Sequence, residues 1–403
     1  MELNRQRITV VDGIRGVSLL GILMANMLIF QYGLWGKDQL HLFSPSLLDI
    51  STYSFLKLMV EGSFMPIFTF LFGFSMVKLK ESLERRDCKY KRHFIRRFLF
   101  LILIGALHAT YLWEGDILFF YGMSGLALLL FVNRSKKTLL IWGSILLLLP
   151  ALLVISGGEN VTDENAKMFP SDKLEQYVKQ TQIINSSGTY TEIKEYRNTS
   201  HDLGISDEAI VAIMLIAPVL TTPMFLFGMY AAKAGWFVNS NEKRSFYVKR
   251  ALFFLPAGLL LKSLPSVCSG NWSGIGDLLG PSALSFGYIF FIAFLLSILS
   301  HTRWFTYFEC VGKLSITNYV MQTVICTTIF YGYGLGLFGK IGILSGIFLS
   351  LLIFSLQVVA SFWYLRFFNS GPIERLLRMW TYFSWSGRPS SRIASTISMK
   401  KTS

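Results

Sequence analysis

The chain has 403 residues, 52% of them apolar and only 15% charged, with a formal net charge of +14. Soluble domains average about 45–50% apolar and about 25% charged. Here the apolar excess falls in long unbroken runs such as LLIFSLQVVASFWYL, which excludes disorder, a collagen repeat and a disulfide scaffold. The 38 Lys and Arg against 24 Asp and Glu would suggest a nucleic-acid partner in a soluble protein, but in a membrane protein the same excess is a topology signal.

A transmembrane helix needs about 20 mostly apolar residues. Ten runs of that kind occur, at 10–32, 53–77, 98–112, 117–132, 139–155, 209–232, 251–264, 282–300, 314–332 and 341–365. The third and seventh are short, and only WEGD separates the third from the fourth. The expected fold is therefore all-α, a polytopic integral membrane helix bundle of about ten transmembrane helices. Residues 1–155 carry the first five, 156–208 form a polar outer segment, and 209–403 carry the last five with a basic tail. Within 156–208 the stretch SDKLEQYVKQTQII predicts one short helix from Ser171. The segment is too small for its own core and reads as a loop capping the bundle, or as a lid over a site.

Loop charge sets the orientation. Segments 1–9, 78–97, 133–138, 233–250, 301–313 and 366–403 hold 28 basic and 7 acidic residues, whereas the opposite segments hold 7 basic and 15 acidic. Because Lys and Arg accumulate in short cytoplasmic loops, both termini are expected in the cytoplasm and the protein in the cell membrane. Asp12 and Arg15 interrupt the start of the first run and no small-residue cleavage site follows, so this helix is expected to be retained. The expected partners are a bilayer with an anionic inner leaflet and no nucleic acid. The bundle is compatible with a homo-oligomer. Trp35, Trp113, Trp236, Trp304 and Trp380 fall near the expected interfaces. The four cysteines show no ligand spacing, so neither a disulfide nor a metal site is expected. The glycine-rich GYGLGLFGK from Gly332 reads as an outer loop.

Ionisable groups at membrane depth cost about 2.5–3.5 kcal/mol on insertion scales and mark the places to look for function. Asp12 and Arg15 share one face at the inner end of the first span. They fit either an interfacial ion pair or a cationic site for a phosphate-bearing ligand. Farther along that helix lies Asn26. Lys57 and Glu61, four residues apart on the second run, fit a self-neutralising pair. Lys262 is the fifth embedded charge. His108 ends the third run, followed by Glu114 and Asp116, and either packs as a hydrogen-bonded core group or serves as a general base or proton relay. Asn318 and Gln322, one turn apart on the ninth run, fit interhelical hydrogen bonding or, with Asp12 and Arg15, a polar inner vestibule. Gly16, Gly21, Gly73, Gly105 and Gly122 permit close helix approach.

Four segments resemble the YeiB-like family of bacterial multi-pass membrane proteins: RITVVDGIRGVSLLGILMAN from Arg7, RRFLFLILIGALHATYLWEGDILFFYGMSGL from Arg96, VGKLSITNYVMQTVICTTIFY from Val311 and WYLRFFNSGPIERLLRMWTY from Trp363. The resemblance implies the same membrane-embedded architecture and a loose association with transport. More distantly, the D-x-x-R-G opening of Asp12, Arg15 and Gly16 resembles the transmembrane acyltransferases of the acyltransferase-three and heparan glucosaminide N-acetyltransferase types. Those enzymes pass an acyl group from a cytoplasmic thioester to an acceptor across the membrane. Where the acyltransferase-three pattern has its catalytic His this sequence has Asn26, as the heparan enzyme does. Eleven residues on, where the heparan enzyme has a His, stands Lys37, with His41 nearby.

Three functions follow as expectations. In the first, an acyltransferase, Arg15 helps hold an acyl-CoA co-substrate and His108, or secondarily His41, is the base. Asn26 then polarises the acyl carbonyl, Glu114 or Asp116 orients the base, and the acceptor is a small molecule, glycan or lipid. No permanently bound cofactor is expected. The second is a proton-coupled transporter or permease for a small solute, and the third a scaffold or sensor without turnover.

Overall fold

The computed structural model describes residues 9–156, 171–199 and 207–387, and every regular element among them is helical. Helix α1 (Thr9–Tyr32) is followed by two 3-10 turns, α2 (Leu47–Met59) and α3 (Met65–Glu84). Next come α4 (Tyr90–Tyr111), α5 (Leu118–Leu128) and α6 (Lys136–Ser156). The outer segment holds α7 (Ser171–Ser187) and α8 (Tyr190–Thr199). The second half comprises α9 (Asp207–Lys233), α10 (Arg244–Val267), α11 (Asn271–Ile298), α12 (Arg303–Lys313), α13 (Ser315–Phe330), α14 (Ile343–Phe367) and α15 (Pro372–Tyr382).

Among the described residues six helices are long and apolar enough to cross a membrane: α1, α4, α6, α10 with the 3-10 turn before it, α11 and α14. The expectation of ten is thus met only in part. Helix α4 extends beyond its apolar run because the basic turn from Tyr90 continues the helix, giving 22 residues. Helix α5 has only 11, about 16 Å at 1.5 Å per residue, too short to cross the roughly 30 Å hydrocarbon core. The second run is not one helix. It breaks over Val60–Phe64, where Gly62 takes φ +71° and Pro66 opens α3. Pro fits a helix only in its first turn, so the sequence around it stops one helix and starts the next.

A break between packed helices leaves backbone carbonyls without helical partners, and α10 and α11 supply the donors. Lys262 Nζ donates to Glu61 O at 2.6 Å and to Ser63 Oγ at 3.0 Å. Tyr288 donates to Met59 O at 2.7 Å, and Ser285 to Ser63 O. The embedded Lys262 therefore satisfies broken backbone.

Lipid tails are as apolar as leucine, so packing rather than transfer from water holds such helices together. Glycines allow the closest approaches. A Cβ on Gly312 would lie 1.8 Å from Asp12 O and one on Gly16 2.0 Å from Phe308 O, so α1 and α12 meet backbone to backbone. Gly73 and Gly228 join α3 to α9 in the same reciprocal way, at 2.0 and 1.8 Å. Gly105 and Gly122 bring α4 against α5, and Gly21 receives the ring of Phe64. Phenylalanine rings fill the space between. Phe70, with no exposed surface, touches Trp236, Phe237 and Phe286.

Two short amphipathic helices, α12 and α15, lie where charge counting shows only basic segments. Glu374 of α15 fixes its position. Its carboxylate accepts from Ile316 N at 2.8 Å, Thr317 N at 3.1 Å and Thr317 Oγ1 at 2.6 Å, capping α13 from another helix. Among the tryptophans, Trp304 and Trp380 are exposed as a belt requires. Trp113 is fully buried, and Trp236 packs among Phe70, Phe246 and Phe290.

Candidate functional site: two cavities and a buried histidine–aspartate pair

Helices α1 and α13 run in the same direction from a basic face to the opposite one. At the basic face a cavity of about 240 Å³ is lined by Arg15, Arg97, Lys313 and Arg378. A neighbouring cavity of about 390 Å³ shares Phe72, Ser75, Arg97 and Arg378 and adds Arg86 and Tyr382. The pair falls in the range of about 300–1,000 Å³ usual for small-molecule sites. Arg15 is held in place by Asp12 Oδ1 and Ser75 Oγ, both at 2.9 Å. Lys313 pairs with Glu309 at 2.5 Å, whereas Arg97 and Arg378 form no ion pair with a described residue. Glu374 also lines this cavity, but its carboxylate is engaged by α13; the unpaired cations attract an anion, and planar guanidinium forks suit phosphate. Leu101, Ile117, Leu118, Tyr121 and Tyr319, each a turn or more along its chain from the basic residues, form the apolar end of the smaller cavity.

Behind Tyr319 lies His108. The two rings are 5.5 Å apart, so the histidine stands one aromatic ring beyond the end of the cavity. Its Nδ1 is 3.0 Å from Asp116 Oδ1, with both side chains almost fully buried. The two atoms are close without forming a well-aligned hydrogen bond. Asp116 Oδ2 accepts from Phe119 N at 2.7 Å, which ties the carboxylate to the first turn of α5. On its other side His108 Nε2 meets Thr323 Oγ1 at 3.1 Å. Local structure positions each partner. Gly105 has no room for a side chain because Phe119 N and Asp116 Oδ2 occupy that space, and Tyr319 donates to Gly115 O at 3.2 Å.

Beyond this layer a separate cavity, of about 180 Å³, opens toward the opposite face under α7 and α8. Glu114, Asn185, Tyr196, Arg197 and Tyr331 line it. Residues 171–199 thus form two packed helices over a cavity, the first starting at Ser171 as expected and the second not foreseen. Arg197 fixes it by donating to Leu112 O at 3.0 Å and Thr110 O at 2.8 Å, and Gly332 N of the glycine-rich loop donates to Asn185 O at 2.8 Å. Trp113, stacked on Phe30 with centroids 4.2 Å apart, belongs to the partition between the cavities.

The expected site residues divide accordingly. Arg15, Asp12, His108, Asp116 and Glu114 lie along this path. Asn26 stands one turn beyond Ile22, which lines the basic cavity, and one turn before Phe30. It is partly exposed and not among the residues lining either cavity. Asn318 and Gln322 turn away from the vestibule. Asn318 donates to Ser361 Oγ at 3.0 Å and Gln322 to Gln357 Oε1 at 2.9 Å, joining α13 to α14. Lys57 and Glu61 are not a pair, because α2 ends between them. Glu61 meets Lys37 at 2.5 Å, and Lys57 lies 3.9 Å from Asp38. His41 sits in the exposed 3-10 turn Leu40–Phe43, on the surface and away from His108. Sequence reasoning passed over Arg97, Lys313 and Arg378 as topology signals, and it had no sign of Tyr121 or Glu374. Among the described residues no three His, Cys, Asp or Glu side chains gather as a metal ion requires.

The fold and this layered site define a polytopic, membrane-type helical protein with polar chambers on both faces. Residues 231–384 match the family described as "Protein of unknown function (DUF418)". The chain is 32% identical over 395 residues to the uncharacterized protein YxaH of Bacillus subtilis, covering 95% of this chain and 96% of that one. It is also 26% identical over 398 residues to the uncharacterized protein YeiB of Escherichia coli, covering 93% and 96%. The chain belongs to this YeiB-like DUF418 family. The matched segment contains Lys313, Tyr319, Thr323, Glu374 and Arg378, while the His108–Asp116 half of the site precedes it.

Proposed function

We propose that the protein is an integral membrane acyltransferase of the cell membrane that takes an acyl group from a cytoplasmic acyl-CoA-type thioester. The observation that carries this reading is the graded cavity at the basic face. Arginines and a lysine surround its mouth, its inner end is apolar, and the buried His108–Asp116 pair stands one ring behind that end. The positive-inside rule assigns the basic face to the cytoplasm, where such thioesters reside. The cavity under α7 and α8 then receives the acceptor.

With Asp116 Oδ1 3.0 Å from Nδ1 to stabilise the imidazolium that forms, Nε2 serves as the base, and the acceptor hydroxyl or amine takes the place of Thr323 Oγ1. His108 removes its proton as the acceptor oxygen or nitrogen bonds to the thioester carbonyl carbon. The tetrahedral intermediate collapses by breaking the carbon–sulfur bond, and the departing thiolate takes the proton from Nε2. A positioned base of this kind contributes about 10²–10⁴ in rate.

Purified protein in lipid nanodiscs tests this reading with CoA and acetyl-CoA as probes. Binding of both and release of thiol from acetyl-CoA are expected. In His108→Ala turnover falls by about 10²–10⁴ while CoA binding persists, and in Arg97→Ala and Arg378→Ala CoA binding weakens. Absence of CoA binding by the wild type overturns the proposal. The two chambers separated by a buried layer also suit an alternating-access carrier. Solute flux into proteoliposomes without thioester consumption would favour that reading.

A further inference from the structure

Tyr121 occupies the first turn of α5, with its ring packed against those of Phe72 and Phe225 at centroid distances of 5.6 and 5.7 Å. These contacts fix the ring. The side chain is 6% exposed, and its hydroxyl has no hydrogen-bond partner among the described residues. Yet it lines the apolar end of the basic cavity. A buried hydroxyl without a partner is costly, so this one is matched to a group that arrives with a ligand. Neighbouring donors at that end are already engaged, since Tyr319 donates to Gly115 O. The rest of the wall there is Leu101, Ile117 and Leu118.

The cavity therefore offers cations at its mouth, an apolar passage and one unspent O–H at its far end. A ligand that fits has a phosphorylated head, an apolar tether and a neutral oxygen acceptor at its tip. A charged tip is disfavoured, because no cation stands at that end and an unpaired charge in apolar surroundings is expensive.

We infer that Tyr121 donates its phenolic O–H to the acyl carbonyl oxygen of the thioester donor and stabilises the negative charge that develops on that oxygen during transfer. This rests on the acyl-donor reading above and gives Tyr121 the carbonyl-polarising role expected of Asn26. A donor aimed at the developing oxyanion in a site shielded from water acts more strongly there than in solution. Tyr121→Phe removes one oxygen and leaves the aromatic packing, so the fold is retained.

The test uses the full-length protein in nanodiscs with CoA and with acetyl-CoA carrying a ¹³C carbonyl. Infrared difference spectra of bound acetyl-CoA are expected to show the wild-type carbonyl band displaced to lower frequency, and the band in Tyr121→Phe near that of the free thioester. Acetyl-CoA affinity falls roughly two- to tenfold in the variant, as loss of one hydrogen bond predicts, whereas CoA, which has no acyl carbonyl, binds both proteins equally. An equal displacement in Tyr121→Phe, or a displacement lost in Asn26→Ala instead, overturns the assignment while the donor reading stands. Failure of the wild type to bind either CoA or acetyl-CoA overturns the donor reading and this assignment with it.

Discussion

Replacing Gly312 by alanine probes what holds the basic cavity together. Its Cβ would stand 1.8 Å from Asp12 O, whereas ordinary contact begins at 3.4 Å, so α1 and α12 must separate by about 1.6 Å at their crossing. The obstacle is backbone, which no rotamer change can move aside, and the reciprocal Gly16 crossing opens with it. Overpacking costs about 1–3 kcal/mol, and the upper end applies because helix axes rather than side chains have to shift. Arg15 and Lys313 flank the crossing and line the cavity, so anion binding at the mouth weakens as well. The midpoint of thermal unfolding in nanodiscs measures the effect, with a drop of several degrees expected for Gly312→Ala and for Gly228→Ala. Gly143→Ala is the control. The atoms nearest its Cβ all belong to the Phe227 ring, from 3.1 Å, and a side chain can give way where backbone cannot, so its loss of stability should be smaller than that of Gly312→Ala. A wild-type midpoint for Gly312→Ala, or an equal loss in the control, refutes backbone contact as the determinant.

Three further outcomes follow from the hydrogen bonding. Glu374→Ala removes the acceptors that cap α13 and costs about 1–2 kcal/mol; release of α15 should appear as faster tryptic cleavage at Arg375 and Arg378, and unchanged cleavage refutes the docking. Lys262→Met leaves Glu61 O and Ser63 Oγ without their donor and costs about 1–3 kcal/mol. Lys57→Met, at a largely exposed side chain, should change the unfolding midpoint little. The third outcome concerns Asp49, which caps α14 by accepting from Ile343 N at 2.7 Å. Its desolvation raises the carboxyl pKa, but hydrogen bonds from Ser46 and from the backbone of residues 343 and 344 outweigh this and hold it below the ordinary carboxylate value. A depressed folded pKa gives stability that is present above the unfolded value near 4 and is lost as pH falls through the folded one. Unfolding midpoints recorded from about pH 5 down to 3 should therefore decline less steeply in Asp49→Asn than in wild type, and identical slopes refute the cap.

Apolar runs, the sided distribution of basic residues and the embedded Asp12, Arg15 and His108 were all legible in the sequence, because each is a property of one helix or one loop. So were the close-approach glycines, since a missing side chain permits contact whatever partner arrives. The break at Val60–Phe64 had a local signal in Gly62 and Pro66, but the donor that satisfies its freed backbone is Lys262, about 200 residues away in the chain. Pairing depended on such distant contacts throughout. Lys57 and Glu61 have a helical spacing, yet Glu61 meets Lys37 because the helix stops between them. Asn318 and Gln322 could face a vestibule or a neighbour by spacing alone, and the packing of α14 turned them to the neighbour. Arg97 and Arg378 read as loop charge until α4 and α15 brought them to one cavity. The sequence alone thus determined a membrane helix bundle, its sidedness as an expectation, and a short roster of costly polar groups, because hydropathy and charge act residue by residue. Only the tertiary structure decided which of those groups share a chamber and that Tyr121 stands at its end without a hydrogen-bond partner among the described residues, because such facts belong to the space between helices.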